Sequence, residues 1–376
     1  KTPLPGPGSS SPIVWGDSIF VTCLADKKDT ICCYGLDGDK RWQKSLGPGR
    51  AGKHKNGTGA NPSPVTDGKQ VVSYFKSGRV ACHDFDGNEL WQKNLQDEYG
   101  EDTLWWDLGT SPILVDGNVV IAVMQAGDSY LVALDVANGE VAWKQKRQYE
   151  RPEESDQAYT TPQVANIDGR DVIVVWGADH LTGHDAETGK QLWESAGFNP
   201  NNEGMWRVIA SHAMDDGIAV VPFGRGKFLA GVKLGGSGDI TKANRLWEEQ
   251  GEVGADVPTP IVHEGKVYVL SDRGEVTCRE LETGEEIWSG DLPRGRDKYY
   301  ASPVLADGTL YCAREDGMVF VASVDGDGME LIAENNMGER VIATPVPVSD
   351  SLLIRGEKHL FRAGGGKATA STASGG

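Results

Sequence analysis

Residues 133–143, Ala-Leu-Asp-Val-Ala-Asn-Gly-Glu-Val-Ala-Trp, recur in altered form along the chain, and this recurrence constrains the fold more than any other feature. Asp185 and Thr188-Gly189 lead to Trp193, and Glu280 and Thr283-Gly284 lead to Trp288. Asp37-Gly38 before Trp42 and Asp86-Gly87 before Trp91 are one residue shorter, and a looser copy runs from Gly238-Asp239 to Trp247. A glycine after a polar residue supplies the positive φ of a tight turn, and the preceding Asp can bond the turn backbone. The tryptophan falls on the outgoing strand, where a large ring can cover the gap beside a neighbouring sheet. One hairpin of this kind cannot bury its own apolar face, so the copies must stack.

A second landmark fixes their number. Ser-Pro or Thr-Pro pairs precede apolar strands at Pro12, Pro64, Pro112, Pro162, Pro260, Pro303 and Pro345, with Ser211-His212 in the fifth slot. The successive spacings of 52, 48, 50, 50, 48, 43 and 42 residues mark eight copies. Proline suits the first residue of a strand, where no ladder donor is lost. Within a copy, short alternating runs separated by tight turns predict four antiparallel strands, A to D. Four-stranded sheets repeated radially make a β-propeller. The predicted fold is all-β, a single eight-bladed propeller over residues 1–363. Its blades fall near 11–46, 62–95, 110–147, 160–196, 209–250, 258–292, 301–334 and 343–363. The eighth copy has three strands, so residues 1–6, which match the stretch after the motif tryptophan in copies one and two, are expected to supply its fourth. By that register a docking tryptophan is expected just ahead of Lys1. The Gly/Ala/Ser/Thr-rich stretch 364–376 is expected to be a disordered tail.

A net charge of −18 argues against non-specific binding to nucleic acid or to an anionic membrane, because the phosphate term would be repulsive. No run approaches the roughly 20 apolar residues that span a bilayer. The six cysteines, Cys23, Cys32, Cys33, Cys82, Cys278 and Cys312, lack metal-site spacing. Cys33, Cys82 and Cys278 align with Ala133, a slot for a small buried residue. The seven histidines form no metal-binding pattern, and no hydrolase arrangement stands out.

The Ala-x-Asp-x-x-[Thr/Asn]-Gly-x-x-x-Trp stretch resembles the tryptophan-docking motif of the pyrroloquinoline-quinone (PQQ) repeat superfamily. Residues 133–143 fit in full, and 183–193 and 278–288 fit with changes. Trp42, Trp91, Trp143, Trp193, Trp247 and Trp288 are thereby assigned as docking residues. The resemblance implies one of two main roles. One is a cofactor-free scaffold, as in the lipoprotein of the outer-membrane β-barrel assembly machinery and similar exported proteins. The other is a quinoprotein dehydrogenase holding PQQ and calcium over the funnel and oxidising an alcohol or sugar. A third role, the extracytoplasmic sensor domain of a bacterial kinase, also exists in the superfamily. Cys32-Cys33 is a vicinal pair like the one that sandwiches PQQ, and Trp176–Asp179 superficially resembles the dehydrogenases' catalytic neighbourhood. Here, however, alternation along a strand sends the two thiols to opposite faces, and the dehydrogenases' Asp base with its calcium-binding Glu and Asn is not recognisable. The expectation is a non-catalytic, exported, periplasmic or envelope-associated monomer with no cofactor and no metal.

The architecture also predicts a face. A–B and C–D turns emerge on one side, while B–C turns and inter-blade D–A loops emerge on the other, and the longer loops are where binding residues concentrate. Trp105, Trp106, Tyr159, Trp206, Arg207, Tyr299 and Tyr300 lie in those loops. His180, Arg225, Arg273, Arg314 and Arg355 lie at B–C turns. The expectation is a funnel mouth with exposed aromatic walls and local positive potential, binding a protein or peptide-like partner or a small anionic ligand.

Overall fold

A computed structural model describes residues 1–364; the expected tail lies outside these except for Gly364. Eight antiparallel sheets span 13–48, 65–94, 113–146, 163–196, 213–250, 261–291, 304–336 and 346–364, each in the strand order A-B-C-D. Blade 1 illustrates the pattern with Ile13–Trp15, Ser18–Ala25, Lys28–Gly35 and Lys40–Pro48. Strands B and C are almost wholly buried, whereas strand D is exposed or half-buried along its length.

The ring closes as the repeat count requires. Thr2–Pro3 pairs antiparallel with blade 8, Thr2 opposite Leu360 and Pro3 opposite His359, and the Leu4 N–H donates to Lys358 O at 2.8 Å. An edge strand that would otherwise present unpaired backbone groups is thereby covered. Gly364, assigned to the tail from sequence, extends this sheet opposite Ser351.

The tryptophans hold neighbouring blades together. Trp42 Nε1 donates to Phe85 O (2.8 Å), Trp91 to Val136 O (2.8 Å) and Trp143 to Ala186 O (3.2 Å). Trp247 and Trp288 donate to Leu281 O (2.8 Å) and Asp325 O (3.2 Å). The rings of Trp42, Trp91, Trp143 and Trp247 also rest on a glycine turn of the next blade. Gly139, at φ +74°, lies under Trp91 so closely that a Cβ there would come within 2.6 Å of the indole. Directly across from each tryptophan within its own sheet stands a small residue: Cys33, Cys82, Ala133, Gly183, Gly231 or Cys278. The sequence slot for a small buried residue is therefore the seat of the indole.

Trp193 departs from the pattern. It is buried over Gly183, but its Nε1 has no hydrogen bond to blade 5 among the described residues. The reason lies in the C–D connection of blade 5, which is an excursion rather than a tight turn. Gly238–Asp239, read from sequence as a turn, instead pairs in parallel with Trp193 and Glu194 as a fifth strand on blade 4. The Ile240 N–H donates to Glu194 O at 2.8 Å, and a short helix, Thr241–Asn244, leads back to strand D.

Candidate binding face and central channel

The residue ahead of each strand-A proline builds the channel. Proline restricts the residue before it to extended backbone, and this turns the Ser or Thr hydroxyl toward the preceding blade. The N–H of Ser11 donates to Ser63 Oγ (2.9 Å), Ser63 to Ser111 (3.0 Å) and Ser111 to Thr161 (3.0 Å). The series continues from Thr161 to Ser211, Ser211 to Thr259 and Thr259 to Ser302, each at 3.0 Å. Thr344 then donates to Ser11 at 3.2 Å, across the closure of the ring. Each such bond contributes about 0.5–1.5 kcal/mol, and these seven tie the innermost ends of the blades into a belt interrupted between Ser302 and Thr344. In the fifth slot, where histidine replaces proline, His212 is fully buried and burial pushes its pKa down to about 3.

All eight belt residues line a central cavity of about 480 Å³. Its wall carries opposed charges. Arg207 pairs with Asp256 (3.4 Å) and Lys298 with Asp272 (3.7 Å). Burial, reinforced by the nearby Asp256 carboxylate, raises the pKa of Asp272.

One loop crosses the channel mouth. The connection between blades 1 and 2 reaches blade 3, where Asp107 accepts the backbone N–H groups of Lys53 (2.8 Å) and His54 (2.9 Å). The same carboxylate forms a buried ion pair with Lys76. Gly57 packs against Asp107 with no room for a Cβ. On the far side, Lys55 pairs with Glu315 (3.2 Å), Arg340 pairs with Glu315 (3.0 Å), and Arg340 also donates to Lys55 O (3.3 Å). This segment is a strap tied to three blades. His54 meets Trp106 edge-on at 5.6 Å.

The predicted face residues divide into three groups. Trp106, Tyr159, Arg207 and Tyr300 line the central cavity together. The Trp106 N–H donates to Tyr159 Oη at 3.2 Å, and burial raises the tyrosine's pKa. Trp105, Arg225 and Arg273 lie on the same face but outside the cavity, exposed to solvent. Arg225 Nε donates to Met205 O at 3.2 Å.

The remaining five are structural, which corrects the expectation of an aromatic, electropositive mouth. Trp206 is half-buried, packed edge-on against Phe223 and over Gly224. Tyr299, expected to be exposed, is 1% exposed, with its hydroxyl donating to Pro293 O at 2.8 Å. His180 is buried, stacked on Tyr149 at 3.6 Å, and desolvation lowers its pKa to about 4. Arg314 pairs with Asp316 at 2.8 Å. Arg355, 1% exposed, donates to Ser10 O (3.0 Å) and Thr22 O (2.7 Å) at the seam between blades 8 and 1. A cation turned inward at a B–C corner needs partners, so these side chains bind carbonyls and carboxylates instead of projecting positive charge.

Sequence reading missed Asp107, Glu154, Glu315 and Arg340. Their partners lie up to 285 positions away in sequence, so no local signal identifies them.

The residues that PQQ chemistry would draw on are not assembled at the channel. Cys32 packs with Ile19, Val21 and Tyr34 in one core cluster, and Cys33 with Phe20, Ile31 and Val71 in another. Trp176 is core, and Asp179 is buried against Arg151 at 3.3 Å. Among the described residues, no three His, Cys, Asp or Glu side chains are grouped to hold a metal ion. The residues that the resemblance nominated therefore do not form one group at the channel.

The blade count, the tryptophan seats and the closure define an eight-bladed propeller of the PQQ-like superfamily. Residues 27–208 and 237–376 match the family described as outer membrane protein assembly factor BamB, and the chain belongs to that family. It is 30% identical over 95 residues to outer membrane protein assembly factor BamB of Marinobacter adhaerens and 26% identical over 97 residues to that of Escherichia coli. These alignments cover 25–26% of this chain and 23% of each relative, so the chain spans about a quarter of the length of the curated relatives it matches. Among solved structures, BamB from Moraxella catarrhalis superposes with a TM-score of 0.63 at 15% identity, covering 93% of this chain and 92% of that one. A europium-containing methanol dehydrogenase superposes with a TM-score of 0.66 at 11% identity, covering 93% and 82%. Such likenesses speak for the fold alone. No helix among the described residues is long and apolar enough to cross a membrane, which leaves membrane-crossing strands unaddressed.

Proposed function

We propose that this protein is a non-catalytic, cofactor-free scaffold of the cell envelope, exported to the periplasm, that binds a protein partner through the face bearing its D–A loops and B–C turns. The observation that carries this reading is the asymmetry of the two faces. Loops 95–112, 147–162 and 197–212 are long and present Trp105 (42% exposed) and Met205 (41% exposed) beside the channel mouth. The opposite side has mostly tight Asp-Gly and Thr-Gly turns, several of them occupied in seating tryptophans, and its exposed Trp15 (51% exposed) rests on Gly68 of the next blade. Exposed large apolar side chains on a rigid rim are typical of the centre of protein–protein contacts. Membership of a family described by outer-membrane protein assembly supports a partner from that process. The strap across the channel and the charge pairs in its wall suit a structural core better than an open substrate funnel.

The test is site-specific photo-crosslinking in living cells, with a benzophenone amino acid at position 105, 205 or 138. Adducts at 105 and 205 containing an outer-membrane assembly component, and none at the C–D turn position 138, are the expected outcome. Adducts confined to position 138, or PQQ- and calcium-dependent alcohol oxidation by the purified protein, would overturn the reading.

A further inference from the structure

Eight junctions close the ring, and they are not fastened alike. Six carry a docking tryptophan, and seven carry a hydroxyl bond of the channel belt. Among the described residues, the junction between blades 7 and 8 alone has neither. By its register against the strand bulge, Ala333 of blade 7 occupies the position that Trp288 holds in blade 6, and Val321 stands where the smaller Cys278 faces the indole. Topology explains the change. A docking ring rests on the C–D turn of the following blade, but blade 8 takes its strand D, Thr2–Pro3, from the other end of the chain and so has no such turn. The belt stops at the same place: the Thr259 N–H reaches Ser302 and the Thr344 N–H reaches Ser11, with no bond from Ser302 to Thr344.

The other junction of blade 8 is fastened. Leu36 O of blade 1 is the counterpart of Phe85 O, the carbonyl that Trp42 engages, and Arg362 Nη1 donates to it at 3.1 Å. Thr2 Oγ1 donates to Gly38 O at 2.9 Å, and Arg355 bonds Ser10 O and Thr22 O. Blade 7, by contrast, reaches blade 8 through loop 337–341. Glu339, whose side chain is 8% exposed, accepts the N–H groups of Lys358 (2.9 Å) and His359 (2.8 Å) at Oε1 and meets His359 Nδ1 at 2.7 Å through Oε2. The Glu357 N–H donates to Arg340 O at 2.9 Å. The buried cluster beneath consists of Ala301, Ala313, Val319, Val341, Leu352 and Ile354, so no indole spans the gap with its larger buried area. Ser302 and Thr344 line the central cavity, so this junction fronts on it. The far end of the strap is tied here too, through Glu315 and Arg340.

We infer that the ring opens between blades 7 and 8, blade 8 moving with blade 1, and that loop 337–341 is the latch of a lateral gate into the central cavity. The strap crosses the cavity's mouth, and release of the latch at Arg340 loosens the strap's far end as well. Such a gate stands whether or not the protein is a scaffold. Double electron–electron resonance on the full chain tests it, with spin labels on cysteines introduced at exposed positions; the six native cysteines are buried. Glu330→Cys with Asp350→Cys spans the junction of blades 7 and 8, and Glu89→Cys with Glu140→Cys spans that of blades 2 and 3. A second, longer distance is expected for the first pair and a single distance for the second. Glu339→Gln should raise the long-to-short ratio of the first pair by about tenfold or more, the effect of one lost charge-assisted hydrogen bond, and leave the second pair unchanged. Far-UV circular dichroism reports whether Glu339→Gln keeps its fold, and His359→Gln, which removes one latch contact, carries the test if it does not. A single distance for the first pair in the parent and the variants, an equal long population across blades 2 and 3, or a long population that neither variant increases would each overturn the latched gate.

Discussion

The contrast between Trp247 and Trp193 isolates the hydrogen-bonded part of tryptophan docking. Both indoles are buried and both face a glycine across their own sheet, Gly231 and Gly183. Only Trp247 donates from Nε1 to the next blade, at 2.8 Å to the buried Leu281 carbonyl. Replacing either residue by phenylalanine removes similar apolar volume and costs roughly 1–2 kcal/mol through lost burial at ~25 cal/mol/Å² and imperfect repacking. Trp247→Phe additionally leaves the Leu281 carbonyl unsatisfied, which costs about 1–3 kcal/mol. The expected difference between the two variants is therefore roughly 1–3 kcal/mol, with Trp247→Phe the more damaging. Urea unfolding followed by far-UV circular dichroism gives the two midpoints, and the slopes establish whether the transitions remain comparable. Equal losses, or a larger loss at Trp193, would refute the view that the indole N–H joins the blades.

Three further outcomes follow from the geometry. Asp29 is buried, with one oxygen unpartnered, and desolvation raises its pKa from 3.8 to about 6, equivalent to roughly 3 kcal/mol. The fold tolerates the protonated acid better, so that stability is fully present below the unfolded value near 4 and is lost as pH rises through about 6. Asp29→Asn should thus stabilise the protein at pH 8 by up to about 3 kcal/mol and leave it nearly unchanged at pH 4, read by thermal unfolding at both pH values. Removing residues 1–4 deletes the pairing of Thr2–Pro3 with blade 8 and bares the edge of His359–Gly364. A lower melting temperature and concentration-dependent self-association in light scattering are expected. Asp107→Asn weakens the grip on Lys53, His54 and Lys76, so trypsin should cut after Lys53 or Lys55 faster than in the parent chain while the blades stay resistant. Equal rates would show that the strap is held by other contacts.

The fold was legible because its determinants are local. Gly139 and Trp143 sit four positions apart and Ser111 directly precedes Pro112, so turn chemistry, strand entry and copy number can all be counted along the chain. The face was legible only as topology. Which of its side chains point outward depends on partners distant in sequence, and the mean behaviour of arginine at a turn misled. Arg355 and Tyr299 look like surface residues in isolation, yet at the inter-blade seams carbonyls such as Ser10 O and Pro293 O bind them inward. The strap was invisible for the same reason: Lys55 and Glu315 are 260 positions apart. Glu154 adopts φ +64°, a conformation that sequence does not announce for a glutamate.

Hydrogen–deuterium exchange on the protein alone and with its crosslink-identified partner tests the two-faced account most directly. Protection is expected in loops 99–106, 151–159 and 199–207, with the turns at 136–139 and 186–189 unchanged. Protection confined to those turns, with the three loops exchanging as freely as before, would contradict it.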